Sequence, residues 1–84
     1  MNYTEILGLA AGTITSITFL PQVLHIWKTK SAKDLSMSML LLLILGVVMW
    51  LTYGIITQAV PIIYTNSMVL IMSIILLVFK IKFK

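Results

Sequence analysis

The chain has 84 residues, of which 61% are hydrophobic and 10% are charged, with a net charge of +4 and no cysteine. Soluble domains average about 25% charged residues, and a water-soluble chain of this length has too much surface to hide so much apolar side chain. The composition therefore excludes a soluble domain, and the lack of cysteine excludes disulfides and thiol chemistry.

Three apolar stretches predict transmembrane helices. No Asp, Glu, Lys, Arg or His occurs between Asp34 and Lys80. A helix rises about 1.5 Å per residue, so about 20 residues cross a hydrocarbon core of about 30 Å. The predicted fold is an all-α membrane protein with one three-helix domain over residues 1–84, and its spans are 4–27, 36–57 and 60–79. Ser36 can cap the start of the second span.

The first predicted span contains a stripe of small residues, Gly8, Gly12 and Ser16, each four positions after the last. Small residues at this spacing let two helix backbones approach closely in a membrane. Two interpretations stay open: the stripe packs against another helix of the same protomer, or it forms the seam of a dimer.

Pro21 interrupts the last third of the same span. Proline removes a backbone hydrogen bond and its ring clashes with the preceding turn. The residue is either a hinge or a static kink. His25 follows near the end of the span, where an interfacial residue is expected more than a proton relay. One histidine without carboxylate neighbours predicts no metal site, and the absence of a nucleophile–base pair argues against an enzyme.

The lysines predict the orientation of the chain. Three of them separate the first two spans and three end the chain, whereas the connection Thr57-Gln58-Ala59 is uncharged. The positive-inside rule then places the first loop and the C-terminus in the cytoplasm and the N-terminus outside. Because the lysines stand at membrane edges, we expect a lipid bilayer as their partner and no nucleic acid.

Two side chains are unusual within the second and third spans. Trp50 is seven residues before Thr57, and Asn66 is six residues after Val60, so both lie about 10 Å below the outer surface. An aromatic face and an amide at one level suit a sugar, since the ring stacks on C–H groups and the amide pairs with hydroxyls. The alternative is that Trp50 fills space and Asn66 joins helices. Tyr53 and Gly46 share the helix face of Trp50, and Tyr53 lies nearer an outer mouth.

The spans carry no charge with which to bind an ion or a charged solute, so the pattern favours facilitated diffusion of a neutral solute. Three helices alone leave no central path. We therefore expect two parallel copies to form a six-helix assembly about a twofold axis.

Several motifs together carry a family resemblance: Phe19-Leu20-Pro21-Gln22, Lys28-Thr29-Lys30-Ser31, Asp34-Leu35-Ser36, Gly46-Val47-Val48-Met49-Trp50, Tyr53-Gly54 and Asn66. The first three resemble the PQ-loop signature. The whole chain resembles the bacterial SemiSWEET sugar transporters of the SWEET family.

The resemblance implies a parallel homodimer in a bacterial cytoplasmic membrane, with the third helix packed between the first two (order 1-3-2). It also implies alternating access without ion coupling and without a cofactor. By the same carry-over, Trp50 and Asn66 of each protomer bind a mono- or disaccharide. The segment around Phe19, Pro21 and Gln22 hinges the inner gate, and Tyr53 belongs to the outer gate.

The chain departs from the family at the outer gate, where some relatives have an Arg and an Asp shortly after the tyrosine and this chain has Thr57, Gln58 and Ala59. Closure through Tyr53 and apolar or amide contacts is the resulting expectation. Two other functions stay open, namely a PQ-loop amino-acid exporter and an accessory membrane subunit without transport activity.

Overall fold

A computed structural model describes residues 2–84 and places them in four α-helices. Their bounds are Tyr3–Ile17 for α1, Leu20–Thr29 for α2, Met37–Thr57 for α3 and Val60–Phe83 for α4. Taken together, α1 and α2 make one span, Tyr3–Thr29, and each of the three spans is long and apolar enough to cross a membrane. The all-α fold with three transmembrane helices is confirmed. The last helix continues to Phe83, beyond the predicted end near residue 79.

The first span breaks between Ile17 and Leu20, just before Pro21. Because proline has no N–H, the carbonyl of Ile17 loses the donor that would continue the helix. The backbone tightens instead, and the N–H groups of Thr18 and Phe19 donate to the carbonyls three residues earlier, at 3.2 and 3.1 Å. Pro21 then lies in the first turn of α2, where a missing N–H costs little.

The ends of α3 follow from local chemistry. The Ser36 hydroxyl accepts a hydrogen bond from the backbone N–H of Met39 at 3.3 Å, which confirms its predicted role as the N-cap. Gln58 ends α3 in the left-handed conformation, with φ 56°. Pro61 lies in the first turn of α4. The connection between α3 and α4 is therefore only Gln58 and Ala59.

The α4 helix lies in the middle of the bundle. It contacts α1, α2 and α3, whereas within residues 2–84 the backbones of α1 and α3 do not come within contact distance of each other. The order 1-3-2 of the spans is thus confirmed. A Cβ on Gly8 would stand 2.7 Å from the Cβ of Pro61, and one on Gly12 would overlap the Thr65 hydroxyl. Both glycines therefore pack against α4 of their own protomer.

The core lies at the end of the bundle that holds the α2–α3 connection. Four hydrophobic side chains are buried together there: Ile26, Ala32, Leu40 and Leu76. Phe19, Val23, Leu35, Phe79 and Phe83 pack around them. Most other large apolar side chains of the three spans are exposed, as a lipid environment requires.

Candidate substrate-binding site

An open groove of about 440 Å³ runs along one face of α3 and is lined by Gly46, Met49, Trp50 and Tyr53. These positions are spaced by three, four and seven residues, so they lie on one face of the helix. The structure thus brings together Trp50 and Tyr53, two of the predicted site residues, on a single wall.

The two aromatic rings of this wall hold each other in place. The ring centroids of Trp50 and Tyr53 are 5.5 Å apart with planes at 85°, an edge-to-face pair. The indole nevertheless remains 56% exposed. Trp50 therefore does not serve as a packing residue inside its own protomer, and its ring face is available to a ligand or to a second protein chain.

Asn66 lies on α4 and does not line the groove. Its depth follows from the contact between the two helices, because a Cβ on Gly54 would stand 2.8 Å from the Ile62 side chain. Trp50 is four residues before Gly54, and Asn66 is four residues after Ile62. Since α3 and α4 are antiparallel, both side chains lie one helical turn from that contact in the same direction.

The Asn66 amide makes its hydrogen bond within its own helix. Its Nδ2 donates to the backbone carbonyl of Ile62 at 2.9 Å. An amide has two N–H bonds and a carbonyl oxygen, so this contact uses only part of its capacity. The bond does not connect α4 to a neighbouring helix, which weakens the interpretation of Asn66 as a group that joins helices.

A second cavity, of about 400 Å³, lies between α2 and α3, and its lining includes Phe19, Gln22, Leu43 and Leu76. Trp50 is seven residues after Leu43, and residues seven apart share a helix face. The groove and this cavity therefore open on the same side of the bundle. The predicted gating residues Phe19 and Gln22 line the part of that side nearer the α2–α3 connection.

The predicted hinge residue Pro21 follows the break in the first span directly. Gln22 beside it also lines a third cavity, of about 390 Å³, together with His25, Lys33, Asp34 and the residues between α2 and α3. Gln22, Asp34 and Leu35 line both this cavity and the one between α2 and α3. A small rotation of α2 about the break at residues 18–19 would change both.

Two residues that line the groove were not predicted to do so. Met49 was given no role from the sequence, and Gly46 was only placed on the helix face of Trp50. A Cβ on Gly46 would meet no atom within 4 Å, unlike one on Gly8, Gly12 or Gly54. Its lack of a side chain therefore serves no packing within the protomer and leaves the groove beside Trp50 open. The spacing of Gly46 and Met49 from Trp50 and Tyr53 was the available signal.

The chain matches the model of a known family over more than half of its length. The family model for the PQ loop repeat matches residues 3–63. The chain belongs to the PQ-loop family. It is 34% identical to a protein of Bradyrhizobium diazoefficiens and 40% identical to one of Leptospira biflexa, both named sugar transporter SemiSWEET. These matches cover 94% and 90% of this chain, and 92% and 89% of the two relatives.

A solved structure extends the likeness to three dimensions. The crystal structure of a bacterial homologue of SWEET transporters matches with a TM-score of 0.94 at 34% identity, over 99% of this chain and 100% of that one. The resemblance to the SemiSWEET group of the PQ-loop family is therefore confirmed. With three membrane-spanning helices and relatives named as transporters, the chain is an integral membrane protein.

Proposed function

We propose that two copies of this PQ-loop protein form a transporter for a small neutral sugar and work by alternating access without ion coupling. One observation carries the proposal: an exposed indole, Trp50, lies deep within an apolar span and level with the amide of Asn66. The names of its relatives as sugar transporters support the same cargo.

The chemistry of the wall suits a sugar. The free face of the Trp50 indole offers an apolar surface to the C–H groups of a pyranose ring, and Tyr53 fixes the angle of the indole. The Asn66 amide supplies donors and an acceptor to hydroxyl groups at the same depth. Such a combination of apolar surface and few polar groups is typical of small-molecule sites.

A single protomer closes this site on one side only. The groove is open along the face of α3, and α4 lies behind it. Lipid would cover the indole in a lone protomer, although tryptophan favours the membrane interface over the hydrocarbon core. A second copy related by a twofold axis would enclose a chamber with two indoles and two amides. Each protomer would thus be an incomplete half of the site.

The lack of charge in the spans supports uncoupled transport. No Asp, Glu, Lys, Arg or His occurs from residue 35 to residue 79, so a proton or a metal cation would find no ionisable partner near Trp50 and Asn66. The direction of net flow would follow the sugar gradient. With the lysines in the cytoplasm, the C-terminus lies inside and the N-terminus outside.

The two gates would lie above and below the indole. The break at residues 18–19 lets α2 rotate, so Phe19, Pro21 and Gln22 would open and close the cytoplasmic mouth. Tyr53, one turn outward from Trp50, would close the outer mouth against its symmetry mate. No charged residue follows Tyr53 before Lys80, so outer closure would depend only weakly on salt.

Uptake of labelled mono- and disaccharides into proteoliposomes tests the proposal, with and without a proton gradient. We expect equal uptake in both conditions. Trp50→Ala should lower uptake roughly twentyfold or more, because each lost stacking contact is worth about 1 kcal/mol and a dimer loses two. Leu45→Ala is the matched control, since Leu45 is 57% exposed on the same helix but does not line the groove.

Three outcomes would overturn parts of the proposal. Wild-type uptake by Trp50→Ala would remove the site. Competition by cystine or lysine would favour the amino-acid exporter. A stable partner protein on purification, together with no flux from the pure chain, would favour the accessory subunit.

A further inference from the structure

One lysine of the chain differs from the other five. Lys28, Lys30, Lys33, Lys82 and Lys84 are exposed, whereas Lys80 is half-buried. Its ammonium turns inward and donates to the backbone carbonyl of Ala32 at 3.0 Å. The two residues are 48 positions apart in the chain. Lys80 thus connects α4 to the linker between α2 and α3. The positive-inside rule does not explain this contact, because the rule concerns only the side of the membrane on which a lysine lies.

The acceptor lies at a buried point of that linker. Ala32 is only 2% exposed and belongs to the cluster of Ile26, Leu40 and Leu76. Its carbonyl also accepts the N–H of Leu35 at 3.0 Å, which closes the turn before α3. The ammonium therefore binds the carbonyl of a turn in which the Ala32 side chain is already buried. A loss of this hydrogen bond would free the linker without removing any apolar side chain.

The position of this contact relative to the hinge gives it a mechanical meaning. The α2 helix has a break at one end, at residues 18–19, and the Ala32 turn at the other. Trp27 makes a second connection to α4, because its ring lies 5.8 Å from that of Phe79 in a stacked pair. Rotation of α2 about the break would move its far end most. The contacts that hold that end against α4 therefore resist the motion.

We propose that Lys80 is a positioning residue for the inner gate: its ammonium holds the Ala32 carbonyl and keeps α2 on α4 while that gate is in the conformation seen here. This inference rests on the proposed function for its role in transport. A lysine at the membrane edge suits such a reversible contact, because its long stem lets the ammonium exchange the carbonyl for water or lipid headgroups.

The absence of cysteine makes a direct test possible, because one introduced thiol is the only one. Ala32→Cys adds one sulfur and leaves the carbonyl in place, so its modification by a polar maleimide in permeabilised proteoliposomes reports release of the linker. A hydrogen bond from a charged donor is worth enough to change an opening equilibrium about tenfold. We expect Lys80→Met to raise the modification rate of Ala32→Cys by about that factor.

Three further variants make the result specific. Lys80→Arg should keep the rate of the Ala32→Cys parent, because a guanidinium can donate to the same carbonyl. Lys82→Met removes an exposed charge from the same helix and should also leave the rate unchanged. If Ala32→Cys fails to fold, Leu40→Cys reports the same cluster, since Leu40 is 4% exposed. An equal rate for Lys80→Met and Lys82→Met would overturn the inference.

Transport supplies a second, separate readout. Lys80→Met should change the rate of sugar uptake but leave the relative uptake of competing sugars unaltered, because Lys80 is 14 residues, about four turns of helix, from Asn66 and does not line the groove. A changed preference among sugars with an unchanged uptake rate would contradict a role at the gate. No sugar uptake by the wild-type protein would defeat the proposed function alone, since the labelling experiment contains no sugar.

Discussion

Asn66 carries the most polar side chain in the middle of α4. Its contacts distinguish a role in binding a ligand from a role in joining two helices. An amide in hydrocarbon costs a few kcal/mol if it lacks partners. The structure gives it a bond to the Ile62 carbonyl of its own helix, which already satisfies part of that need without connecting two helices. The remaining polar atoms of Asn66 therefore cost free energy within the membrane, as expected of a residue that binds a ligand.

Asn66→Leu should therefore abolish sugar uptake without lowering stability. Leucine keeps the branched shape of the side chain, is somewhat larger, and removes the polar group from the membrane. Uptake into proteoliposomes and the thermal unfolding midpoint in detergent are the two measurements. Ser67→Ala, at the next position of the same helix, should change neither. A lower midpoint with full uptake would show instead that the amide supports the fold.

At the scale of helices, the contact between α1 and α4 sets the distance between the first and last spans. Gly8 and Gly12 stand against Pro61 and Thr65 so closely that no Cβ fits without a shift. Of the two interpretations of the small-residue stripe, packing within one protomer is the one that holds for these glycines, because they face the protomer's own α4. The exposed face of α1 is a different one, and any dimer contact of α1 would have to use it.

Gly12→Ala should destabilise the protein by about 1–3 kcal/mol through overpacking. Thr65→Ala in the same chain should restore part of the loss, because it removes the hydroxyl that the new methyl group meets. Gly46→Ala is the matched control: its Cβ meets no atom within 4 Å, so stability should stay or rise by up to about 1 kcal/mol. Unfolding in detergent measures all three. Equal effects at Gly12 and Gly46 would rule out close packing as the cause.

The break between α1 and α2 belongs to the same scale. Thr18 and Phe19 keep right-handed helical angles, so the span does not unwind at the break. This geometry fits a hinge, since a short three-residue turn has fewer hydrogen bonds to distort than a full helix. The hinge and the Lys80 contact would act at opposite ends of α2.

For the whole molecule, the open groove supports the proposal that the transport path is shared between two copies. In the proposed dimer, Tyr53 approaches its symmetry mate when the outer mouth closes. A disulfide requires two Cα atoms within about 7 Å, and a chain without other cysteines can form one only between protomers.

Tyr53→Cys should therefore form a covalent dimer under mild oxidation in membranes, and this dimer should not transport until it is reduced. Leu45→Cys, on the same helix but outside the groove, should stay a monomer on a denaturing gel. Full sugar uptake by the oxidised Tyr53 variant would contradict alternating access. Equal cross-linking at both positions would contradict the placement of the axis beside the groove.

The sequence by itself determined the three spans, the capping of α3 by Ser36 and the family, as the helices and relatives confirm. Each of these depends on local features: apolar residues favour lipid over water one by one, a cap acts within one turn, and the motifs are short. The predicted common level of Trp50 and Asn66 had the same origin and agrees with the contact between Gly54 and Ile62, whereas the roles of the two side chains stay predictions.

Only the tertiary structure decided which faces meet. The stripe of Gly8 and Gly12 packs against α4, the Trp50 indole is left uncovered, and Lys80 turns inward to a residue 48 positions away. Contacts of this kind depend on how whole helices pack, and several arrangements satisfy the same apolar pattern because lipid and a neighbouring helix are almost equally apolar. Hydropathy therefore locates the helices, and packing selects the side chains that remain free to act.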